Sequence, residues 1–190
     1  MDIAESKTVL RREVGARLKA MPPAQRATAS GRACALLEQQ SVWKKAGLIF
    51  FYAPLPEELD IWPLVGDSLA AGKVVALPRF DPGTQRYVAC QIQDIARDLS
   101  AGQYGIREPG GHCVAVPPNR LDLALVPGVA FDLEGRRLGR GKGFYDQMLA
   151  SVRGTTCGVG FDEQIVDTVP VEPHDIHLNC ILTPTRWIEP

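Results

Sequence analysis

The residues best suited to chemistry lie between Arg137 and Asp146, in the segment R-L-G-R-G-K-G-F-Y-D. Its three glycines alternate with Arg140 and Lys142, so the backbone can approach a ligand closely while two cations project from one short loop. A helix predicted to begin near Gly143 would add unpaired N–H groups and the positive end of its dipole, which together favour phosphate. The spacing therefore predicts an anion-binding loop; the alternative is a glycine-rich turn with solvated basic residues.

This loop differs from the two common nucleotide-binding signatures. Five residues separate Gly135 from Gly141-Lys142, where a P-loop needs four, and Gly143 stands where that motif needs Ser or Thr. The dinucleotide pattern G-x-G-x-x-G does not fit either. Asp146 falls in the first turn of the predicted helix, where it could hold a divalent cation together with phosphate oxygens. A carboxylate that only complements the helix dipole explains Asp146 equally well.

Two more cations, Lys7 and Arg11, lie in a predicted amphipathic helix over residues 6–20. At about 100° per residue they fall within the arc of the apolar residues, so they are expected to face the protein. A buried charge without a partner is costly. The partner is an anionic ligand or, in the alternative interpretation, a carboxylate of the domain, unless the side chains extend to solvent at the helix rim.

Acidic side chains follow the first predicted strand, residues 47–53. The sequence P-L-P-E-E-L-D places Glu57, Glu58 and Asp60 at this strand end. A carboxylate there could accept two adjacent N–H donors of a pterin or guanidine-like ring. An acidic helix start is the alternative.

Other candidate residues carry weaker signals. His174 and Asp175 adjoin in E-P-H-D-I-H-L-N, where proton transfer by His174 or metal binding by Asp175 competes with plain turn chemistry, which the sequence alone favours. The chain lacks a G-x-S-x-G elbow and a cysteine in a known nucleophile motif. Covalent hydrolysis is therefore disfavoured.

Apolar patterns predict the elements that position these side chains. Helices are predicted over residues 6–20, 23–40, 61–71 and 143–152, and strands over 47–53, 73–80, 86–92, 121–126, 155–160 and 181–183. This alternation predicts a three-layer α/β/α sandwich with a mostly parallel central sheet, as a single domain over 1–190. Ligands bind beyond the carboxyl ends of strands in such sheets, so residues 52–58 and 127–144 are expected on one rim. Residues 100–120 are expected to form a long irregular connection.

Composition narrows the class of protein. The net charge of −1 does not supply the broad basic field that nucleic-acid binding needs, and no apolar run approaches the ~20 residues of a membrane span. The five cysteines are odd in number and include no C-x-x-C, which argues against a disulfide framework and a zinc site. We expect a monomer in the reducing cytoplasm, with a small-molecule substrate and no nucleic-acid or membrane partner.

Five sequence features, taken in order, resemble the 5-formyltetrahydrofolate cyclo-ligase family. They are K-x-x-x-R at Lys7, F-Y-x-P-x-x-x-E-L-D, Y-G-I-R-E-P, V-P-G-V-A-F-D-x-x-G-x-R-L-G-R-G-K-G-F-Y-D and the late H-D. The resemblance extends from Lys7 to Thr183, and R-L-G-R-G-K-G-F-Y-D is its specific part. It implies conversion of 5-formyltetrahydrofolate to 5,10-methenyltetrahydrofolate with ATP and Mg²⁺, through phosphorylation of the formyl oxygen.

The resemblance also implies roles for individual residues. ATP would be bound by Lys7, Arg11, Arg137, Leu138, Gly139, Arg140, Gly141, Lys142, Gly143, Phe144 and Tyr145. Folate would be bound by Ala53, Glu58, Arg140, Gly141, Lys142, Gly143 and Phe144. Magnesium would lie at Asp146 and Asp175, and Arg140 and Lys142 would be catalytic. Phosphoryl transfer asks mainly for positioning and charge neutralisation, which these side chains can supply.

Two positions depart from the family pattern, and two rival functions stay open. Ile61 stands where Thr is usual, and Phe144 where Tyr is commoner. A sugar-phosphate isomerase or acyl-CoA transferase relative would use the glycine loop for a substrate phosphate and need no ATP. A non-catalytic nucleotide-sensing or protein-binding module would keep the loop without turnover.

Overall fold

The computed structural model describes residues 2–102, 105–141, 143–172 and 175–190. The helices in these ranges are α1 Ile3–Ala20, α2 Pro23–Gln39, α3 Ser41–Lys45, α4 Trp62–Ala70, α5 Ile95–Asp98 and α6 Phe144–Leu149. The strands are β1 Leu48–Phe50, β2 Val74–Asp81, β3 Arg86–Ile92, β4 Leu99–Ala101, β5 Arg107–Pro109, β6 Leu123–Pro127, β7 Ala130–Phe131, β8 Arg137–Leu138, β9 Thr155–Val159, β10 Cys180–Leu182 and β11 Trp187–Ile188. Lys142 and His174, which the sequence singled out, lie outside the described residues.

Within the described residues, a seven-stranded sheet runs in the order β11-β10-β9-β6-β1-β2-β3. Its five inner strands are parallel, and β3 and β11 pair antiparallel at the two edges. In the register, Phe50 of β1 lies between Ala76 of β2 and Ala124 of β6. Parallel neighbours need crossover connections, which pass through α4 between β1 and β2 and through α6 between β6 and β9. The predicted α/β fold with a mostly parallel sheet is confirmed.

The two faces of the sheet carry separate apolar clusters, because successive side chains of a strand point to opposite faces. Ile49 shares one cluster with Val14 of α1, Leu37 of α2 and Leu64 of α4. Phe50, the next residue, belongs to the other cluster, whose helical members come from α6. Helices therefore cover both faces, as the three-layer prediction requires. Among the described residues, α1, α2 and α4 pack on one face and the short α6 packs on the other.

Two elements next to the candidate site are shorter than the sequence predicted. β1 has three residues instead of the seven of 47–53, because the chain leaves the sheet after Phe50. Tyr52 stays fully buried and donates a hydrogen bond to the Leu59 carbonyl, so the apolar run reflects burial beyond the strand. α6 has six residues instead of the ten of 143–152; Ser151 and Val152 donate backbone hydrogen bonds three residues back, which ends the helix.

Two short hairpins form where the sequence predicted no strands. β4 and β5 pair antiparallel within residues 100–120, and β7 and β8 pair within the glycine-rich region. The pairing of β7 with β8 fixes Arg137 directly below the loop, since Arg137 lies opposite Phe131. None of the described helices combines the length and apolar character of a membrane span.

Candidate active site

A cavity of about 680 Å³ opens where β1, β2 and β6 end at the carboxyl side of the sheet. This volume is typical of sites for small molecules. The residues to which the family resemblance assigns roles all line it within the described ranges, whereas the candidates Glu57 and Asp60 do not. The lining residues are Lys7, Arg11, Ala53, Glu58, Arg137, Leu138, Gly139, Arg140, Gly141, Gly143, Phe144, Tyr145, Asp146 and Asp175. The two segments expected on one rim thus meet around one cavity.

The glycine-rich loop has the backbone conformation that its glycines suggested. Gly141 and Gly143 have φ angles of 90° and 66°, in the left-handed region that side chains disfavour. The loop is also held by α1, because Arg11 Nε donates a 2.9 Å hydrogen bond to the Gly139 carbonyl. The Arg11 guanidinium packs against Gly141, where an added Cβ would lie 3.6 Å from Arg11 Nη2. One of the two predicted inward-facing cations therefore contacts the loop directly.

Arg137 forms the floor of the cavity. Its side chain is 3% exposed, and its Nη2 lies 2.5 Å from Asp146 Oδ1 in the first turn of α6. Its Nη1 donates to the Pro127 carbonyl at 3.3 Å, and its guanidinium lies 5.8 Å from the centre of the Tyr145 ring. Its Nε is buried and has no hydrogen-bond partner in the described structure. The floor of the cavity is therefore formed by a buried arginine that is held in place by the Asp146 carboxylate and the Pro127 carbonyl.

Lys7 connects α1 to the segment before β10. Its ammonium lies 2.7 Å from both Glu172 and Asp175, and its side chain is 11% exposed. Burial alone would lower the pKa of Lys7, but the hydrogen bonds to Asp175 and Glu172 outweigh burial and raise it. Lys7 therefore faces inward as a cation whose partners are carboxylates of the protein, as one of the sequence interpretations held.

Arg140 reaches across the cavity mouth to the segment after β1. Its Nη2 lies 3.1 Å from Glu58 Oε1 and 3.4 Å from Glu57 Oε1. The other Glu58 oxygen accepts a hydrogen bond from the Leu55 N–H at 3.0 Å. Burial raises the pKa of Glu58, although the Leu55 N–H and Arg140 act in the opposite direction. Glu58 is thus a nearly buried carboxylate at the polar edge of the cavity.

Asp60 has another task, because its Oδ1 accepts a hydrogen bond from the Trp62 N–H where α4 begins.

Aromatic rings form the apolar wall of the cavity. Phe144 packs edge-on against Tyr87, with ring centres 5.0 Å apart, and against Phe80 at 6.2 Å. Both Phe144 and Tyr87 line the cavity, together with Pro78 and Ile106. A wall of this kind suits a flat ring, because aromatic groups prefer stacked or edge-to-face contacts.

The two carboxylates proposed for magnesium both line the cavity but do not form a complete metal site by themselves. Asp146 pairs with Arg137, and Asp175 pairs with Lys7. In the described part of the chain, three potential ligand atoms come together only at Asp98, His112 and Cys113, whose residues do not line this cavity. Magnesium bound with a nucleotide usually takes only one or two protein carboxylates and completes its shell with phosphate oxygens and water.

Several cavity residues were not predicted as site residues. Glu172 lies three residues before Asp175, which the sequence did single out. Ile106 and Glu108 belong to the family motif Y-G-I-R-E-P, to which no residue roles were assigned. Tyr87 lies in the alternating strand β3, where its ring gave no local sign of a site.

Comparison with known proteins supports the same region of the molecule. The model of the 5-formyltetrahydrofolate cyclo-ligase family matches residues 3–184. A 5-formyltetrahydrofolate cyclo-ligase of Mus musculus is 29% identical, covering 95% of this chain and 94% of the mouse protein. One of Escherichia coli K12 is 36% identical over 68% of this chain and 73% of its own. The NMR structure of Aquifex aeolicus 5,10-methenyltetrahydrofolate synthetase superposes with a TM-score of 0.87 at 31% identity, covering 96% of this chain and 92% of that one. The family match runs from α1 to β10 and includes every element that lines the cavity.

Proposed function

Because the chain belongs to the 5-formyltetrahydrofolate cyclo-ligase family, we propose that its cavity closes 5-formyltetrahydrofolate to 5,10-methenyltetrahydrofolate in a reaction that consumes ATP. Family membership makes the chain an enzyme, a ligase of folate one-carbon metabolism. The nucleotide, the metal ion, the residue roles and the mechanism are the parts that we propose.

The observation that carries the proposal is the division of one cavity into two chemically different regions. Lys7, Arg11 and Arg137 lie on the side where α1 meets the glycine-rich loop, together with the carboxylates of Asp146 and Asp175 that could hold a metal ion. Phe144 and Glu58 provide an aromatic surface and a carboxylate acceptor. The first region suits a polyphosphate, and the second suits a flat ring with N–H donors.

The residues present fit ATP with magnesium. Lys7, Arg11 and Arg140 line the cavity, and their N–H groups could donate hydrogen bonds to phosphate oxygens. Asp146 and Asp175 supply oxygen ligands of the hard kind that Mg²⁺ prefers. When bound, the ion would neutralise charge on the phosphate oxygens during transfer.

The residues of the chain then have defined tasks in the reaction. Binding places the formyl oxygen of the substrate in line with the γ-phosphorus of ATP, where a new P–O bond forms as the bond to ADP breaks. Arg140, with Lys142, stabilises the negative charge that spreads over the transferring phosphoryl group. The N10 lone pair then attacks the activated formyl carbon, N10 loses its proton, and the C–O bond breaks to release phosphate. No covalent bond to the protein is required.

The loop that carries Arg140 borders both regions of the cavity. The guanidinium contacts Glu58, and Gly139 and Gly141 on either side line the cavity next to Arg11. A single arginine in this position can follow the phosphoryl group from ATP to the formyl oxygen. This arrangement supports a direct transfer between two bound substrates.

An oxygen-labelling experiment tests the proposed route. The protein is incubated with ATP, Mg²⁺ and 5-formyltetrahydrofolate that carries ¹⁸O in the formyl group, and the released phosphate is analysed by mass spectrometry. The proposal predicts one ¹⁸O atom per phosphate and equal amounts of ADP, phosphate and methenyl product. Unlabelled phosphate formed along with the product would contradict phosphorylation of the formyl oxygen. ATP binding without any turnover would favour the non-catalytic nucleotide-binding module.

We also propose that the chain is a single domain and acts as a monomer in the cytoplasm. The five cysteines are buried and free, which supports a reducing compartment such as the cytoplasm. The cavity is built from one chain, so a monomer can hold a complete site. Analytical ultracentrifugation at the concentration of the activity assay tests this, because sedimentation at the mass of a dimer would contradict it.

A further inference from the structure

Three side chains with different metal-ligating atoms meet at the base of the β4–β5 hairpin, outside the cavity. Asp98 is the last residue of α5, directly before β4, and His112 and Cys113 follow β5. A carboxylate oxygen, a ring nitrogen and a thiol sulfur there lie within 4.8 Å of one another. His112 Nε2 is 3.1 Å from Asp98 Oδ1, and Cys113 Sγ is 3.7 Å from the Asp98 carbonyl oxygen. The proposed reaction uses none of these side chains.

The spacing of the three ligand atoms is close to that of a zinc site. Zn²⁺ binds histidine nitrogen and carboxylate oxygen at about 2.0–2.2 Å and cysteine sulfur at about 2.3 Å, in a tetrahedron, so its ligand atoms lie about 3.3–3.6 Å apart. His112 Nε2 and Asp98 Oδ1 are already at nearly this distance. The other two pairs, which are at most 4.8 Å apart, need to close by no more than about 1.5 Å. A mixed set of oxygen, nitrogen and sulfur favours zinc over magnesium, which prefers oxygen ligands.

The surrounding backbone holds two of the ligands in place. Asp98 Oδ2 accepts hydrogen bonds from the N–H groups of Gln93 at 2.7 Å and Asp94 at 3.0 Å, which fixes the carboxylate with Oδ1 beside His112. The His112 ring packs over Gly110, where an added Cβ would lie 2.8 Å from ring atom Cε1. Hydrogen bonds of this supporting kind orient the ligands in metal sites.

The groups around Asp98 Oδ1 are on the solvent side of the cluster. Arg97 Nε donates to Oδ1 at 2.7 Å, but the Arg97 side chain is 62% exposed and that of His112 is 59% exposed. A divalent cation would replace the positive charge of Arg97, which can then turn into solvent. Burial and the Asp98 charge raise the pKa of the Cys113 thiol, so coordination would release its proton.

We propose that Asp98, His112 and Cys113 bind one Zn²⁺ ion, with water as the fourth ligand, and that the ion fastens the base of the β4–β5 hairpin. This hairpin carries Glu108 on the cavity wall, so the ion would support that wall from outside the cavity. The absence of C-x-x-C argues only against sites built on paired cysteines. This cluster instead joins Asp98 to residues 14 and 15 positions later.

Calorimetric titration of the metal-free protein with Zn²⁺ tests the proposal, with excess Mg²⁺ present to occupy the carboxylates of the cavity. We expect one Zn²⁺ per chain and a higher melting temperature of the parent with Zn²⁺ than without it. His112→Ala should raise the Kd for Zn²⁺ at least about 100-fold, because loss of even a supporting group costs about 10- to 100-fold. His177→Ala, which removes another exposed histidine, is the matched control and should leave this Kd unchanged.

Co²⁺ in place of Zn²⁺ identifies the sulfur ligand through its thiolate-to-cobalt charge-transfer absorption. The band should be present in the parent and in Cys34→Ser, a buried change on α2, and absent from Cys113→Ser. His112→Ala alters an exposed side chain, so it decides the proposal even if Cys113→Ser folds poorly. A parent that does not bind Zn²⁺, equal Zn²⁺ affinity in the parent and His112→Ala, or a cobalt band that persists in folded Cys113→Ser would overturn the site.

Discussion

The ammonium of Lys7 lies 2.7 Å from the carboxylate of Asp175, on the wall of the cavity. Arg137 and Asp146 form a second pair of the same kind at its floor. Each pair joins a cation proposed for phosphate to a carboxylate proposed for magnesium. Because an unpaired buried charge is costly, a nucleotide can take the two cations favourably only if a metal ion takes the two carboxylates. The structure thus holds the cations proposed for phosphate and the carboxylates proposed for magnesium in internal ion pairs.

The first prediction is that ATP and Mg²⁺ strengthen each other's binding. Omitting Mg²⁺ should raise the Kd for ATP by about 5- to 150-fold, the usual range of coupling between two ligands, and calorimetric titration with and without the ion measures it. Asp175→Asn removes one of the carboxylates and should shrink the difference. Equal ATP affinity of the parent in both conditions would contradict the exchange of partners.

The second prediction concerns how the ionisation of Glu58 changes the stability of the protein. Burial, opposed by Leu55 and Arg140, raises its pKa above the ordinary value of 4.5, so the folded protein binds this proton more tightly than the unfolded chain. The contribution of Glu58 to stability is therefore fully present below pH 4.5 and is lost as the pH rises through the raised pKa. Glu58→Gln should therefore match or exceed the parent in urea resistance at pH 7, and this advantage should disappear below pH 4.5, while KM for 5-formyltetrahydrofolate rises at neutral pH.

Urea unfolding at several pH values checks this prediction, with Glu38→Gln on the exposed side of α2 as the control. A Glu58→Gln protein that is less stable than the parent at pH 7 would show that the contacts with Arg140 and Leu55 outweigh the cost of burial. An unchanged KM would remove Glu58 from the substrate site.

The third prediction separates backbone strain from lack of space at Gly141. Its φ of 90° strains any other residue, whereas an added Cβ would lie at an ordinary contact distance of 3.6 Å from Arg11. Gly141→Ala should lower the free energy of unfolding by about 1–3 kcal/mol or shift the loop and weaken ATP binding. Gly31→Ala, in the middle of α2 with open space around it, should instead stabilise by about 0.5–1 kcal/mol. A Gly141→Ala protein with the parent's melting temperature and ATP affinity would rule out a required left-handed loop.

The fourth prediction concerns Lys142, whose role rests on the sequence. Lys142→Ala should lower kcat about 100- to 1000-fold, the usual loss when one group that stabilises transition-state charge is removed. Its melting temperature should stay near that of the parent. Lys44→Ala, an exposed change on α3, controls for loss of a positive charge. A folded Lys142→Ala protein that turns over like the parent would show that the assignment of the glycine loop is wrong.

The sequence correctly predicted that residues 52–58 and 127–144 meet at one edge of the sheet, because this prediction needs only local patterns. The apolar run that became β6 and the glycines at 141 and 143 carry their structural meaning in a few neighbouring residues. The helical arc that turned Lys7 and Arg11 inward is local as well. Parallel strands end on one side of a sheet, so these local predictions were enough to bring the segments together.

The rest of the site depends on contacts between distant parts of the chain. Arg140 meets Glu58 across 82 positions, and Lys7 meets Asp175 across 168. No local pattern predicts such pairs. The strand predicted over residues 47–53 was too long. Tyr52 is fully buried although it lies beyond the end of β1, and burial alone gives the same apolar pattern as a strand. Glu108 has the local sequence of a surface glutamate, and its burial comes from packing against Gly102 after β4.

The most direct test of the central claim is the near-UV absorbance of the methenyl product, followed after purified protein is mixed with 5-formyltetrahydrofolate, Mg²⁺ and ATP, beside a reaction without ATP. The proposed function predicts a rise in absorbance that depends on ATP and is lost in the Arg140→Ala variant. An equal rise without ATP, or no rise from folded protein that still binds ATP, would contradict ATP-dependent cyclisation in this cavity.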